Sequence, residues 1–181
     1  MSELSELIYE IIKMNPKDDI KVAKKDYYNN ETVKNIIEKF KFNNKTKNKL
    51  YQFATFIVRF ENDRILKKLS KLKDKKYDNI FFDNLKNVKI KNVKFFSALF
   101  LQHLLFNKIS IDELSMYFEV LGKMPQNYFD FIWSHPRGKT RLYNAKFGEL
   151  LYKNNLAIKV FAIGDLEYEL NEAGIKFFNN I

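Results

Sequence analysis

Apolar residues recur at helical spacing along most of this chain, and they alternate with polar residues only near its end. The first run, over 4–12, predicts a helix that begins after Ser2 and ends before Pro16. A second short helix is predicted directly after Asn30. Further apolar positions then predict one long helix from about Thr46 to Leu72, with an inner stripe formed by Leu50, Phe53, Ile57, Phe60, Leu66, Leu69 and Leu72.

The most apolar segment, FFSALFLQHLLF (95–106), is too short to cross a bilayer and predicts a buried helix. His103 lies within it and is expected to be a hydrogen-bonded core histidine rather than a metal ligand. Ser110 and Glu113 have the spacing of a capping box, which predicts a helix over 111–121 that Gly122 ends.

Pro125 is placed to open a short helix through about Trp133. Either Thr140 or Asn144 then caps a further helix that ends near Asn154.

Strand signals lie at the C-terminal end. LAIKVFAI and LEYEL are two extended runs around Gly164-Asp165, which predicts a β-hairpin. In the second run apolar side chains alternate with Glu167 and Glu169, so one face of the hairpin is acidic. Asn171 is placed to cap a last helix.

These patterns predict a mostly α fold, with a helical N-terminal part and a C-terminal unit that carries one β-hairpin. The boundary is placed between a basic helical domain, 1–107, and a second domain, 108–181. No low-complexity linker separates them, so residues 95–107 can pack with the second domain as a single unit.

Charge is distributed unevenly along the chain. The formal net charge is +10, and residues 39–94 hold 17 Lys or Arg against 5 Asp or Glu, whereas residues 101–181 sum to zero. Such asymmetry predicts a polyanionic partner, meaning nucleic acid or an anionic membrane surface. The composition also matches that expected from an A+T-rich genome. Codon usage explains why Lys replaces Arg, but it does not explain the shortage of acidic residues.

The basic residues after position 58 fall largely off the apolar stripe of the predicted long helix. They give this helix a basic face, and we assign them to nucleic-acid binding: Arg59, Arg64, Lys67, Lys68 and Lys71. The alternative is a solvated lysine face, as on most protein surfaces. The shortage of acids after Asp63 favours the functional interpretation.

Composition excludes several classes of function. The chain has no cysteine, which removes disulfides, thiolate chemistry and cysteine-ligated zinc. Its start is acidic and amphipathic rather than a secretory signal. We therefore predict a soluble, cytoplasmic protein without a membrane segment.

Enzyme motifs are weak. Gly138-Lys139-Thr140 has the ending of a phosphate-binding loop, but Trp133 occupies the place of its first glycine and Pro136 removes an amide. His103 and His135 are too few for a multi-histidine metal site. We predict no catalytic residue, no metal and no cofactor. A nuclease site built from scattered carboxylates is an alternative, with candidates Asp63, Asp130, Glu149, Asp165, Glu167 and Glu169.

The closing stretch, YNAKFGELLYKNNLAIKVFAIGDLEYELNEAGIKFF, resembles the end of winged helix-turn-helix regulators. The predicted order of helix, helix, helix, hairpin and helix matches that superfamily. The run LNEAG (170–174) matches the phrase L-T-x-x-G that begins the last helix there, with Asn in place of Thr. The resemblance covers residues 95–180 and implies a winged-helix-like unit whose recognition helix precedes the hairpin.

The face of the implied recognition helix can be read from its spacing. Four residues are expected inside: Tyr143, Phe147, Leu150 and Leu151. The outward face, flanked by Lys146 and Lys153, carries Arg141, Ala145, Gly148 and Tyr152. Small and basic residues suit close approach to a DNA groove, and packing against another helix is the alternative. We assign nucleic-acid contacts here to Arg137, Lys139, Thr140, Arg141, Asn144, Lys146 and Tyr152.

One departure from the superfamily concerns the wing. DNA-reading wings usually carry Arg or Lys at the tip, whereas this tip is Gly164-Asp165 and is followed by Glu167 and Glu169. These acids would repel phosphate, so we do not expect this wing to contact the DNA backbone. The acidic wing is a candidate surface for a protein partner instead.

Together these features predict a non-catalytic nucleic-acid-binding protein, with duplex DNA favoured over RNA. Four tyrosines near lysines keep single-stranded DNA or RNA open as ligands: Tyr27, Tyr28, Tyr51 and Tyr77. The alternative from another class is a protein-interaction subunit of a nucleic-acid-processing complex. The sequence does not determine the oligomeric state, and it is compatible with a homodimer.

Overall fold

The computed structural model describes residues 2–15, 22–60, 62–128, 131, 138–162 and 165–181. It is mostly helical with one small antiparallel sheet, which confirms the predicted fold class. The elements are α1 (Glu3–Met14), α2 (Lys24–Asn29), α3 (Glu31–Lys39), α4 (Asn44–Ile57), α5 (Asn62–Lys68), α6 (Lys76–Asn87), α7 (Val93–Phe106), α8 (Ile111–Lys123), β1 (Arg141–Leu142), α9 (Ala145–Lys153), β2 (Ala157–Ala162), β3 (Asp165–Leu170) and α10 (Glu172–Asn180). Short 3₁₀ turns lie at Leu69–Leu72, Ile90–Asn92 and Gln126–Tyr128.

The predicted helix starts are confirmed where a local capping signal exists. Ser2, Asn30 and Asn171 each accept a hydrogen bond from a backbone N–H in the first turn of α1, α3 and α10. The capping box of α8 is complete, because Ser110 Oγ accepts from Glu113 N and the Glu113 carboxylate accepts from Ser110 N at 2.7 Å. Such bonds involve neighbours in sequence, so the sequence alone predicts them.

The single long helix predicted from Thr46 to Leu72 is wrong. The segment divides into α4, α5 and a 3₁₀ turn, and Phe60, expected on the inner stripe, is exposed. The core residue of α5 is Ile65, eight positions after Ile57. In one continuous helix these two side chains would lie roughly 80° apart around the axis, since each residue turns about 100°. Breaking the helix lets both side chains enter the same core.

Two further expectations are corrected near the middle of the chain. Helix α8 continues through Gly122 to Lys123, so this glycine does not end the helix. A Cβ at Gly122 would lie 3.3 Å from Cβ of Asn87, which shows that the glycine allows α8 to pack closely on the end of α6. The predicted helix after Pro125 begins as a 3₁₀ turn over Gln126–Tyr128, and Phe131 is α-helical, while its predicted end at Trp133 lies outside the described residues.

The sheet has the strand order β1-β3-β2, with both pairs antiparallel. The hairpin prediction is confirmed, although Asp165 pairs with Ala162 and belongs to β3 rather than to the turn. Helix α9 packs against all three strands. Tyr168 of β3 faces α9, because a Cβ at Gly148 would lie only 2.6 Å from its ring.

The buried side chains form one contiguous hydrophobic core that runs from Leu4 in α1 to Phe177 in α10. Helix α7 lies within it, and α4, α5 and α8 all pack against α7. Stacked and edge-to-face phenylalanines fill the centre, as in the pair Phe96–Phe118 at 3.8 Å between ring centroids. This core gives α5 and the sheet fixed supports, although the predicted domain boundary near 107 stays a prediction.

Candidate nucleic-acid interface

The basic residues assigned from the sequence are brought together on α5 and the 3₁₀ turn that follows it. Arg64, Lys67, Lys68 and Lys71 follow the spacing i, i+3, i+4 and i+7, which places them along one side of the segment. We call these four residues the α5 stripe. Arg64 and Lys67 are exposed, and Lys68 and Lys71 are half-buried. Arg59 is exposed and lies apart from the stripe, between α4 and α5.

Among the described residues, the exposed cations of the α5 stripe form no ion pair with a carboxylate, although Asp63 lies on the same helix. None of the ion pairs among the described residues involves Arg59, Arg64, Lys67 or Lys68. By contrast, lysines elsewhere are paired, as in Lys34–Glu31 at 3.1 Å and Lys153–Glu149 at 3.2 Å. A concentration of cations without counterions produces a local positive potential that attracts phosphate.

Lys71 has a different role from the other members of the stripe. Its ammonium donates to the carbonyl of Leu104 at 3.1 Å and to the side-chain oxygen of Asn107, at the C-terminal end of α7. Burial lowers the pKa of Lys71, and the nearby charge of Lys68 lowers it further. Lys71 therefore caps α7 and stabilises the support on which the other stripe residues rest.

An aromatic residue that the sequence did not reveal completes this surface. Phe106, the last residue of α7, is 44% exposed. The guanidinium carbon of Arg64 lies 4.6 Å from its ring centroid, and Lys108 Nζ lies 5.6 Å from the same centroid. We call Arg64, Phe106 and Lys108 the Phe106 cluster. The only signal in the sequence was a phenylalanine and a lysine flanking the end of an apolar run.

In the C-terminal unit, the residues that we assigned to nucleic-acid binding lie on different faces of the sheet. Arg141 belongs to β1 instead of the recognition helix, and its guanidinium forms an ion pair with Glu167 of β3. Side chains alternate across a strand, so Arg141 and Glu167 lie on the face opposite Tyr168 and α9. Lys146 and Tyr152 lie on α9 itself. The sheet therefore separates Arg141 from the other helix residues assigned with it.

The predicted helical wheel of α9 is wrong for two residues. Tyr143 was expected inside and is 76% exposed, whereas Gly148 was expected outside and is buried against Tyr168. The helix begins at Ala145 because Arg141 and Leu142 pair with Glu169 and Tyr168 of β3, and a pairing between residues so far apart in sequence leaves no signal in the local spacing. The inward positions of Phe147 and Leu151 are confirmed.

Three other residues of the assigned set have defined positions. Asn144 caps α9 by accepting from Phe147 N at 2.9 Å, so its side chain is engaged. The carbonyl of Thr140 accepts from Leu170 N at 2.8 Å, which extends the pairing of β1. Lys139 is exposed ahead of that strand. Arg137 lies outside the described residues.

The tyrosines considered for base stacking are mostly unavailable. Tyr27 is fully buried, and Tyr77 is buried with its hydroxyl bonded to His103. Tyr28 and Tyr51 donate to the carbonyls of Lys47 and Val22, at 3.1 and 2.8 Å. Two phenylalanine rings are exposed instead: that of Phe106, which contacts Arg64, and that of Phe60, which follows Arg59 in sequence.

A separate open groove of about 560 Å³ lies between α3 and the start of α4. Its walls carry positive and negative side chains and two carboxamides, and they are formed by Tyr28, Lys34, Ile37, Glu38, Asn44, Lys47 and Asn48.

Among the described residues no cluster of three or more His, Cys, Asp or Glu side chains is arranged to hold a metal ion. Within the same part of the chain, no helix has the length and apolar character needed to span a bilayer.

Comparisons of the chain with protein-family models, with curated proteins and with solved structures found no match.

Proposed function

We propose that this protein binds nucleic acid without catalysing a reaction and that duplex DNA is its preferred partner. One observation carries the proposal: Arg64, Lys67 and Lys68 line one side of α5, and no described carboxylate pairs with them. Phosphate groups would supply the missing counterions. Release of the cations condensed on DNA would then provide much of the binding free energy.

The Phe106 cluster supports this proposal with a second type of contact. Arg64 and Lys108 lie close to the ring of Phe106, whose exposed part presents an apolar surface beside two cations. Sugar rings or unpaired bases pack on such surfaces, while the cations contact the adjacent phosphates. Arg59, exposed between α4 and α5, would add a further cation to this part of the surface.

In this proposal the C-terminal unit contributes positioning, as its resemblance to winged helix-turn-helix regulators implies. Its support is the order of α9, hairpin and α10, together with exposed Lys146 and Tyr152 on α9. Arg141 contributes less than the sequence indicated, since Glu167 already neutralises its guanidinium. Contacts to base edges would come from α9.

Salt-dependent binding tests the proposal. Binding would be measured for a duplex of arbitrary sequence, a single DNA strand and a single RNA strand of equal length over a range of salt concentrations. The double substitution Arg64→Gln/Lys67→Gln should lower the magnitude of the slope of log Kobs against log salt by about 2, since each lost phosphate contact removes about 0.9.

The matched control is Lys13→Gln/Lys34→Gln, which changes the net charge equally but removes lysines already paired with Glu10 and Glu31. We expect this control to change the slope much less. Absence of binding to all three nucleic acids at low salt would overturn the proposed function. Equal effects of the two double substitutions would show that total charge, and not the α5 stripe, drives binding.

A protein-interaction role is the second candidate, because one observation favours it. Exposed large apolar side chains concentrate in and around the sheet, in the residues Tyr143, Tyr152, Ile158, Phe161 and Leu166. They lie on both faces of the sheet, and exposed apolar side chains concentrated in one region commonly mark a contact with another protein. Under this role, Arg141→Glu should leave nucleic-acid affinity unchanged while it weakens the protein complex.

A further inference from the structure

Strand β2 lies at one edge of the sheet. The strand order is β1-β3-β2, and among the residues that the structure describes no other strand pairs with the outer side of β2. Exposed edge strands are usually protected by charged residues, proline or a bulge, because they offer unpaired backbone groups to another strand. The sequence of β2 is AIKVFA, with Lys159 as its sole charged residue.

The hydrogen-bond pattern shows which backbone groups of β2 point outward. Asn171 N donates to the carbonyl of Leu156, so this pair belongs to the hydrogen-bonded set. Hydrogen-bonded and non-hydrogen-bonded residue pairs alternate along an antiparallel ladder. The pairs 158/169 and 160/167 between β2 and β3 are therefore hydrogen-bonded as well. The N–H and C=O groups of Ala157, Lys159 and Phe161 therefore point away from β3.

The side chains along this edge are apolar and exposed. Phe161 is 87% exposed and Ile158 is 48% exposed, and they lie on opposite faces of the sheet. Lys159 shares the face of Phe161 and lies over the ring of Tyr152, with Nζ 4.6 Å from the centroid. Burial of Ile158 and Phe161 would be favourable, and pairing at the edge would bring both faces against new neighbours.

We propose that two copies of this chain associate by antiparallel pairing of their β2 strands about a two-fold axis at Val160, which joins the two sheets into one. In this register Lys159 of each copy pairs with Phe161 of the other through outward backbone groups. The two Val160 side chains meet at the axis as a non-hydrogen-bonded pair. The dimer is isologous and closed, as most homodimers are.

The side chains select this register over its neighbours. An axis at Lys159 would set the two lysines directly opposite each other, which is unfavourable. An axis at Phe161 would leave only residues 160–162 paired, whereas the axis at Val160 pairs 158–162. At that register each ammonium lies beside an aromatic ring of the other copy, where a cation is attracted to the ring.

Charge favours a second copy at this end of the molecule. Residues 141–181 carry five basic and five acidic residues, so the excess of +10 lies entirely in residues 1–140. Two molecules that approach through β2 therefore place their neutral parts together and their basic parts apart. The acidic face adds little repulsion, because Arg141 already pairs with Glu167.

Sedimentation without nucleic acid tests the pairing, which makes the result independent of the proposed function. The unaltered chain should show a concentration-dependent monomer–dimer equilibrium. Lys159→Pro removes an outward N–H that β3 does not use, so the hairpin should persist while the dimer dissociation constant rises by at least about tenfold. Lys159→Gln is the control for the lost charge and should weaken the dimer much less. Equal effects of the two substitutions would overturn edge pairing.

A cysteine cross-link tests the register even if the proline variant does not fold. The chain has no native cysteine, so Val160→Cys introduces a single thiol. Cα atoms of a non-hydrogen-bonded pair lie about 4.5 Å apart, within the range of a disulfide. Oxidation should link Val160→Cys into dimers faster than the control Tyr143→Cys, whose site is highly exposed but far from the β2 edge in strand order. A monomer at all concentrations, or equal rates of cross-linking, would overturn the proposal.

Discussion

Tyr77 and His103 form a hydrogen bond in the core, with Tyr77 Oη 3.1 Å from His103 Nε2. The other ring nitrogen, Nδ1, lies 2.8 Å from the carbonyl of Ile109. A carbonyl only accepts, so Nδ1 carries the proton and Nε2 accepts from the tyrosine hydroxyl. A neutral imidazole thus satisfies both partners, which confirms His103 as a hydrogen-bonded core residue.

This arrangement makes stability depend on pH through His103. Burial lowers the pKa of His103, and Lys71 and Lys76 lower it further, against the opposing effect of the bond to Ile109. Because the folded-state pKa lies below the unfolded value, the stabilisation is complete above about pH 6.5 and is lost as pH falls toward the folded pKa.

Denaturant unfolding at several pH values should show this loss of stability, with a slope of at most about 1.4 kcal/mol per pH unit. His103→Leu should flatten that slope. Substitution of the other histidine, His135→Gln, is the control, and an unchanged slope in His103→Leu would contradict the assignment.

The three helical glycines should differ sharply in their tolerance of alanine. At Gly174 a methyl group would overlap the carbonyl oxygen of Leu156, which is backbone and cannot rotate away. At Gly148 the methyl would meet the ring of Tyr168 at 2.6 Å. At Gly122 it would lie 3.3 Å from Cβ of Asn87, a tight contact that a small shift of the Asn87 side chain relieves. We expect Gly174→Ala to lower the free energy of unfolding by more than about 2 kcal/mol, whereas Gly122→Ala should be near neutral because alanine gains about 1 kcal/mol of helix propensity. Thermal unfolding of the three variants checks this order, and a stable Gly174→Ala protein would contradict it.

The sequence predicts contacts between neighbouring residues better than contacts between residues that are far apart in the chain. Caps such as Ser110 and Asn171 bond to residues three positions away, so their helices were found at the right place. The break in the helix between Ile57 and Ile65 depends on how distant segments pack. The same is true of the pairing of Arg141 with Glu169. The local spacing of apolar residues contains no information about such contacts. For this reason the predicted long helix and the predicted helical wheel of α9 were wrong.

The same difference between local and long-range information applies to the candidate interface. The charge pattern of the sequence pointed to Arg64, Lys67 and Lys68, which lie along one side of α5, although their assignment to nucleic-acid binding stays a prediction. The same pattern also included Lys49 and Lys71, whose ammonium groups are bonded to backbone carbonyls inside the molecule. It missed Phe106, because exposure at the end of an apolar helix is decided by the surrounding helices.

Tyr117 should contribute to unfolding at alkaline pH. The residue is fully buried and donates to the carbonyl of Ala173 at 3.3 Å. Burial, together with the nearby charge of Glu113, raises the pKa of Tyr117 to about 12. A raised folded-state pKa means that the stabilisation is complete below the unfolded value of about 10 and is lost as pH rises toward 12.

Tyr117→Phe should therefore reduce the loss of stability between about pH 10 and 12, while it costs roughly 1 kcal/mol at neutral pH for the missing hydrogen bond. Denaturant unfolding at pH 7 and at alkaline pH provides both values. Tyr143→Phe, a change at a highly exposed tyrosine, should alter neither. A Tyr117→Phe variant that loses stability as steeply as the unaltered protein would show that other groups control the alkaline transition.

Lys49 should stabilise the fold despite its buried charge. The residue is only 2% exposed, and its ammonium donates to the carbonyls of Leu85 and Lys86, at 3.1 and 2.7 Å, at the C-terminal end of α6. Burial lowers the pKa of Lys49, and the charge of Lys45 lowers it further. The cost of burying the charge is offset by two charge-assisted bonds and by the favourable position of a cation at a helix C-terminus.

Lys49→Met keeps the aliphatic volume but leaves these two carbonyls without a donor, so we expect a loss of roughly 1–3 kcal/mol in the free energy of unfolding. Lys45→Met removes the same charge from an exposed position of α4 and should change stability by less than about 0.5 kcal/mol. Denaturant unfolding of both variants at neutral pH checks the difference. If Lys49→Met proved as stable as Lys45→Met, the cost of burying the ammonium would equal the gain from its two bonds, and Lys49 would not stabilise the end of α6.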